Sequence, residues 1–143
     1  MLEIGAGVGL VSIVAASFGH RITLTEFNSD ALQFAHANAC INGCPQLPIF
    51  ALDWNHPRLT ETFDYIVASE VTFRKNDWQP LIKLFKTYLN PGGEVILTGE
   101  MKRVGKDIYQ ILATDFNLKI QKIVLRSSGE KIGIFLIRMT VKE

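Results

Sequence analysis

The chain is short of the features that most often announce a function. Its 143 residues include two cysteines, Cys40 and Cys44. A disulfide framework needs more than these, and no His/Cys set with zinc spacing accompanies them, so no metal site is expected. Two reduced thiols in a cytoplasmic protein is the simpler reading. The three histidines, His20, His36 and His56, show no ligand spacing and receive no catalytic role. An excess of one charge is lacking too: 15 Lys and Arg stand against 14 Asp and Glu. That balance gives no footprint for nucleic acid or for an anionic membrane. The apolar stretch at 4–18 is too short and too rich in glycine to span a bilayer. No basic residue precedes it and Glu3 stands where one should be, so it is no signal peptide either. No internal repeat, low-complexity run or linker interrupts 1–143, which reads as one domain.

What is present is a core-forming composition, 48% hydrophobic and 20% charged, and a regular alternation of element types. Residues 1–4 end a strand. VGLVSIVAASFG predicts a helix closed by Gly19, and RITLTEF, alternating and β-branched, a strand. NSDALQFAHANACINGC opens on capping residues and sets Ala31, Leu32, Phe34 and Ala35 on a helical period. LPIFALDW predicts strand three, HPRLTETF a connection or a short turn of helix, and FDYIVASEV a buried central strand. NDWQPLIKLFKTYL is an amphipathic helix stopped by Asn90-Pro91-Gly92-Gly93. EVILTGE predicts strand five, KDIYQILATDF a helix, and 118–139 two strands joined at 127–130. The order is β-α five times, then an antiparallel hairpin. It predicts an α/β fold: a doubly wound, Rossmann-like, mostly parallel sheet with helices on both faces.

In such a fold the first βα loop lies at the carboxyl edge, where ligands bind. Here it carries Gly5, Gly7 and Gly9 behind Glu3, which permits a tight turn and close approach of a ligand. A dinucleotide fingerprint wants its third glycine at position 10, which is Leu10, so NAD is disfavoured. Glu26 ends strand two, where a carboxylate can accept ribose hydroxyls of either NAD or S-adenosylmethionine. Asp53 and Trp54 end strand three. The indole there is either a platform for adenine or a core residue.

Together these residues resemble the class I, seven-β-strand S-adenosylmethionine-dependent methyltransferases. LEIGAGVG is similar to that family's (D/E)-x-G-x-G-x-G motif, Glu26 to its ribose-binding acid, and LNPGGEVIL to the approach to its fifth strand. The resemblance implies S-adenosylmethionine as cofactor. It would be held by Glu3, Gly5, Ala6, Gly7 and Gly9, by Glu26 and Phe27, by Asp53 and Trp54, and by Ser69. After strand four, Glu70-Val71-Thr72-Phe73 resembles the (D/E)-x-x-(Y/F) motif of the protein-lysine methyltransferases, with Glu and Phe in place of the commoner Asp and Tyr. That group includes the chaperone, valosin-containing-protein and calmodulin lysine methyltransferases.

The resemblance implies a protein substrate with an acceptor lysine. Glu70 would align the amine, and Phe73 would offer a ring face to the cation. The competing roles are a solvated carboxylate for Glu70 and a core aromatic for Phe73. Arg74 and Lys75 read as a solvated pair rather than a steering patch. Transfer to a small molecule or to another protein side chain, or a non-catalytic domain that binds cofactor or partner, are the alternatives. A DNA-amino-methyltransferase signature is missing after strand four, where SEVTF stands. The first strand has few residues before Gly5, and the related lysine methyltransferases carry a segment ahead of it. The chain is accordingly expected to be a fragment of a longer protein.

Overall fold

The computed structural model describes residues 1–72, 74–103, 107–127 and 129–142. Seven strands form one sheet in the order β3-β2-β1-β4-β5-β7-β6. The strands are β1 (Leu2–Ile4), β2 (Thr23–Glu26), β3 (Ile49–Ala51), β4 (Phe63–Ser69), β5 (Leu89–Glu100), β6 (Phe116–Ser127) and β7 (Glu130–Val141). The helices are α1 (Leu10–Ser17), α2 (Ser29–Ile41), α3 (Lys75–Tyr88) and α4 (Asp107–Asp115). β1 to β5 pair in parallel, while β7 runs antiparallel between β5 and β6. This is the predicted sheet with its terminal hairpin. Among the described residues no helix is long and apolar enough to cross a membrane.

Alternation along β1 divides the core. Leu2 and Ile4 join Ile66, Ala68, Leu97 and Ile137 beneath α3 and α4, whose Trp78, Leu81, Phe85, Ile108 and Leu112 are buried there. Residues on the other face of the strands, Leu24 among them, meet Ile13 of α1 and Ala35 of α2. Two helices therefore cover each face, as a doubly wound sheet requires.

Three expectations change. Residues 52–62 form turns and bends between β3 and β4 and contain no helix, so the β-α alternation has a gap there. Phe34, placed on the buried face of α2, is 62% exposed, and the small Ala35 and Ala39 do the packing. Bulk is excluded on that side because α2 lies close to α1 and β2: a Cβ on Gly9 would fall 3.4 Å from that of Ala35. Asn90 to Gly93 stop α3 as expected but belong to β5, which pairs Leu89 with Phe63 and Glu94 with Tyr65 across an irregularity in register. α2 begins as predicted, with the Asn28 side chain accepting the N–H groups of Asp30 (2.9 Å) and Ala31 (3.0 Å).

Candidate active site

The chain steps from β1 to β2 and β3 on one side and to β4 and β5 on the other. The switch point lies between β1 and β4, and the glycine turn leaves the sheet at that point. All three glycines are left-handed, with φ 61°, 56° and 89°. They serve different ends. A Cβ on Gly5 would lie 2.8 Å from Val71 Cγ1 and 3.1 Å from the Trp54 ring. The turn, the segment after β3 and the segment after β4 thus converge at one point; Trp54, expected at the end of strand three, lies three residues beyond it. A Cβ on Gly9 would strike Leu24 Cδ1 at 2.8 Å, so Gly9 lets α1 approach β2. A Cβ on Gly7 would meet no atom within 4 Å. Its outer side is where a ligand can lie against bare backbone.

Glu3 is buried and turned toward α1. Its Oε2 accepts the Ser12 hydroxyl and the Ser12 N–H (2.9 Å). Gly9, at the helix N-cap, has no side chain to do this, and the carboxylate of β1 supplies the missing cap at a helix end where negative charge is favoured. Burial pushes the Glu3 carboxyl above its usual value, the Ser12 bonds oppose that, and the negative charge of Glu26 adds to it. Glu3 holds the turn rather than offering this oxygen to a ligand. Thr25 Oγ1 donates to the Glu3 carbonyl at 2.6 Å, and Ala6 N–H donates to the Thr25 carbonyl at 3.0 Å, clamping the turn onto β2.

Glu26 reaches the same turn from β2. Its Oε2 accepts Gly7 N–H (2.8 Å), and its Oε1 accepts Phe27 N–H (2.7 Å) and Asn28 N–H (2.9 Å). A carboxylate offers about four acceptor positions. Three are taken, so a ribose finds one free rather than two. Phe27 is 70% exposed. Asp53 closes a local turn: Oδ1 accepts Asn55 N–H (2.9 Å) and Oδ2 lies 3.2 Å from His56 Nδ1. Those contacts, the Asn55 N–H first, hold its carboxyl below the usual range. Trp54 is half-buried, packed on the core under Gly5. Ser69 is exposed and its hydroxyl accepts from Thr98 Oγ1 at 3.1 Å.

Glu70 follows β4 on the other side of the switch point. Among the described residues it is the only non-glycine with positive φ, at 56°. Its N–H donates to the Thr98 carbonyl (2.9 Å) and its Oε1 accepts Glu100 N–H (2.6 Å). Its Oε2 is buried without a hydrogen-bond partner among the described residues. Phe73 lies outside the described residues. The neighbouring segment is fastened by the Trp78 indole N–H, which donates to the Thr72 carbonyl at 2.7 Å. Sequence reasoning missed Ser12, Thr25, Glu100 and Arg103, the last with Nη1 4.0 Å from Glu70 Oε2. Each meets its partner only through the fold, and nothing in its local pattern announces the pairing. A cavity of about 1110 Å³ lies at the opposite, amino edge of the sheet, lined by Met1, His20, Cys44 and Tyr65 among others. None of the expected site residues lines it. Among the described residues no cluster of His, Cys, Asp and Glu is suited to a metal ion.

A glycine turn at the switch point, an acid at the end of β2 and an antiparallel β7 between β5 and β6 define the class I methyltransferase fold. The solved structure of the glycopeptide N-methyltransferase MtfA with S-adenosyl-L-homocysteine shares it, with a TM-score of 0.80 at 14% identity over 99% of this chain and 82% of that one. The lysine methyltransferase family model matches residues 1–115, and the chain belongs to that family. The protein-lysine methyltransferase METTL21E of Mus musculus is 36% identical over 94 residues, covering 59% of this chain and 38% of that protein. The EEF1A lysine methyltransferase 3 of Xenopus tropicalis is 23% identical over 145 residues, covering 96% and 62%. The chain thus spans less than two thirds of the length of these two relatives.

Proposed function

We propose that the protein transfers a methyl group from S-adenosylmethionine to a lysine side chain of a protein substrate. The observation that carries this reading is the Glu70 carboxylate. It is fixed at the carboxyl edge beside the open glycine turn, with one buried oxygen that no donor among the described residues claims. Family membership and the relatives named above support the same reaction.

The residues present fit the cofactor. The bare backbone at Gly7 leaves room for its amino-acid end, and the remaining acceptor position on Glu26 suits a ribose hydroxyl. When bound, S-adenosylmethionine would supply an electrophilic methyl on a sulfonium, with a neutral thioether as the leaving group. The chain's own residues prepare the acceptor. A lysine ammonium, with a reference pKa near 10.4, docks against Glu70 Oε2 as the cation and there gives one proton to water. Glu70 Oε2 then accepts one N–H of the neutral amine, which aims the lone pair. From the motif alone, Phe73 is assigned the ring that faces the cation. Most of the acceleration comes from this positioning, since a displacement of about 1 Å costs on the order of a hundredfold in rate. The free thiols Cys40 and Cys44 fit a reducing, cytoplasmic setting.

The test is incubation of the purified protein with labelled S-adenosylmethionine and a cell lysate, followed by mass spectrometry of the labelled residue. Label on lysine is expected. Glu70→Ala should cut transfer about a hundredfold and leave cofactor affinity within about twofold, because Glu70 stands across the switch point from Gly7 and Glu26. Label on another residue type or on a small molecule would overturn the lysine assignment. Cofactor binding with no transfer at all would make this a binding domain.

A further inference from the structure

Glu70, Glu100 and Arg103 form a cluster at the ends of β4 and β5. Beyond Glu100 the chain turns back: Met101 N–H donates to the Gly133 carbonyl (2.9 Å) and Arg103 N–H to the Glu100 carbonyl (3.0 Å). The turn carries the Arg103 side chain over two carboxylates. Its Nε lies 3.3 Å from Glu100 Oε2 and its Nη1 4.0 Å from Glu70 Oε2. The second distance is too long for a hydrogen bond. Two carboxylates share one guanidinium, so the cluster keeps a net charge of −1. Its unsatisfied atom, Glu70 Oε2, is also the one the acceptor is proposed to use.

We propose that Arg103 is a specificity-determining residue: its guanidinium is the resting counter-ion of Glu70 Oε2, and a cationic amine displaces it where a neutral acceptor does not. The inference rests on Glu70 being the acceptor's partner. An ammonium can approach Oε2 to about 2.8 Å and form the charge-assisted hydrogen bond that Arg103 does not make. The displaced guanidinium keeps a partner, because Glu100 already lies beside its Nε. A neutral hydroxyl or amide brings a donor but no charge, and does not offset the lost ion pair. The Arg103 side chain is 63% exposed, so the pair is weak and exchangeable, as a displaceable occupant must be. Arginine suits the role because its fork places separate nitrogens toward two carboxylates at once.

The probe is n-butylamine, the stem and amine of a lysine side chain, titrated into the ¹⁵N-labelled protein with S-adenosylhomocysteine. The amide of Glu100 is the reporter, since it is bonded to Glu70 Oε1. Arg103→Met should bind the amine about fivefold more tightly than wild type at low salt, with the gap closing as ionic strength rises. Lys102→Met removes the same charge from an exposed neighbour in the turn and should change affinity by less than about twofold. Butyramide, uncharged, should perturb Glu100 in Arg103→Met and not in wild type. Equal or weaker amine binding by Arg103→Met overturns the proposal, as does an equal gain in Lys102→Met. If Glu70→Gln binds the amine as wild type does, or if no form binds it, the Glu70 reading falls and this inference with it. Failure at Arg103 alone, with Glu70→Gln abolishing binding, leaves the proposed function standing.

Discussion

At Glu70 the left-handed backbone, φ 56°, is held by the N–H bond to Thr98 and the side-chain bond to Glu100. For a residue with a Cβ that conformation costs roughly 1–2 kcal/mol, part of which glycine escapes. Glu70→Ala and Glu70→Gly lose the same carboxylate and differ in backbone strain and in the entropy of the unfolded chain. Glu70→Gly should therefore be the more stable of the two by about 1 kcal/mol in urea unfolding, after glycine's extra unfolded-state entropy is set against the relief. Equal stabilities would mean the strain is relaxed elsewhere. Glu3 yields a second prediction. Its folded pKa stands above the ordinary 4.5 because of burial, so the folded state keeps that proton to higher pH than the unfolded chain does. Stability from this group is greatest at low pH and declines as pH rises from about 4.5 through the raised value. In Glu3→Gln that slope disappears, and the stability difference between variant and wild type should move in the variant's favour between about pH 4.5 and 7. A difference independent of pH would show that Glu3 is solvated in solution. Glu26 and Glu70 were legible as candidates because one acid ends β2 and the other follows β4 directly. Their occupancies were not, because Gly7, Glu100 and Arg103 reach them only in the folded chain.

Among the elements, the β1-turn-α1 unit carries the clearest consequences. Gly5→Ala and Gly9→Ala combine left-handed strain with contacts of 2.8 Å against Val71 and Leu24. Each should destabilise the fold by roughly 2 kcal/mol or more, read from the urea midpoint at unchanged slope. Gly7→Ala meets no neighbour and bears only the strain, about 1 kcal/mol. Its methyl would stand in the space assigned to the cofactor, so it should weaken S-adenosylhomocysteine binding far more than it weakens the fold. The reverse ranking, with Gly7→Ala the least stable and still able to bind, would remove the turn from the site. The elements themselves were readable from capping and periodicity: Asn28 caps α2, and Trp78, Leu81, Ile82 and Phe85 form the buried stripe of α3. What escaped had physical causes. Phe34 fits a helical period that the narrow gap beneath α2 reserves for alanine. The residues between β3 and β4 carry no apolar period strong enough to impose a helix, and they run as turns.

For the molecule as a whole, the strand order divides the site into two halves that can be tested apart. On the proposed function, β1 and β2 carry the cofactor half, with Gly7 and Glu26, and β4 and β5 the acceptor half, with Glu70, Glu100 and Arg103. The doubly wound topology, and with it the edge on which both halves stand, followed from the alternation of β and α. The division of labour did not, because it depends on which oxygens the backbone has already claimed. A ligand that binds only the folded state raises stability by RT ln(1 + [L]/Kd). At a hundred times Kd that is about 2.7 kcal/mol, roughly 10 °C in Tm for a domain of this size. S-adenosylhomocysteine should produce such a shift in wild type and an equal one in Glu70→Ala, whose change lies in the acceptor half. Glu26→Ala should lose most of it at the same ligand concentration. It forfeits the ribose acceptor and also releases the N–H groups of Gly7, Phe27 and Asn28 that hold the turn in place. A shift lost in Glu70→Ala and kept in Glu26→Ala would invert the assignment of the two halves. A shift given by NAD and not by S-adenosylhomocysteine would overturn the cofactor itself.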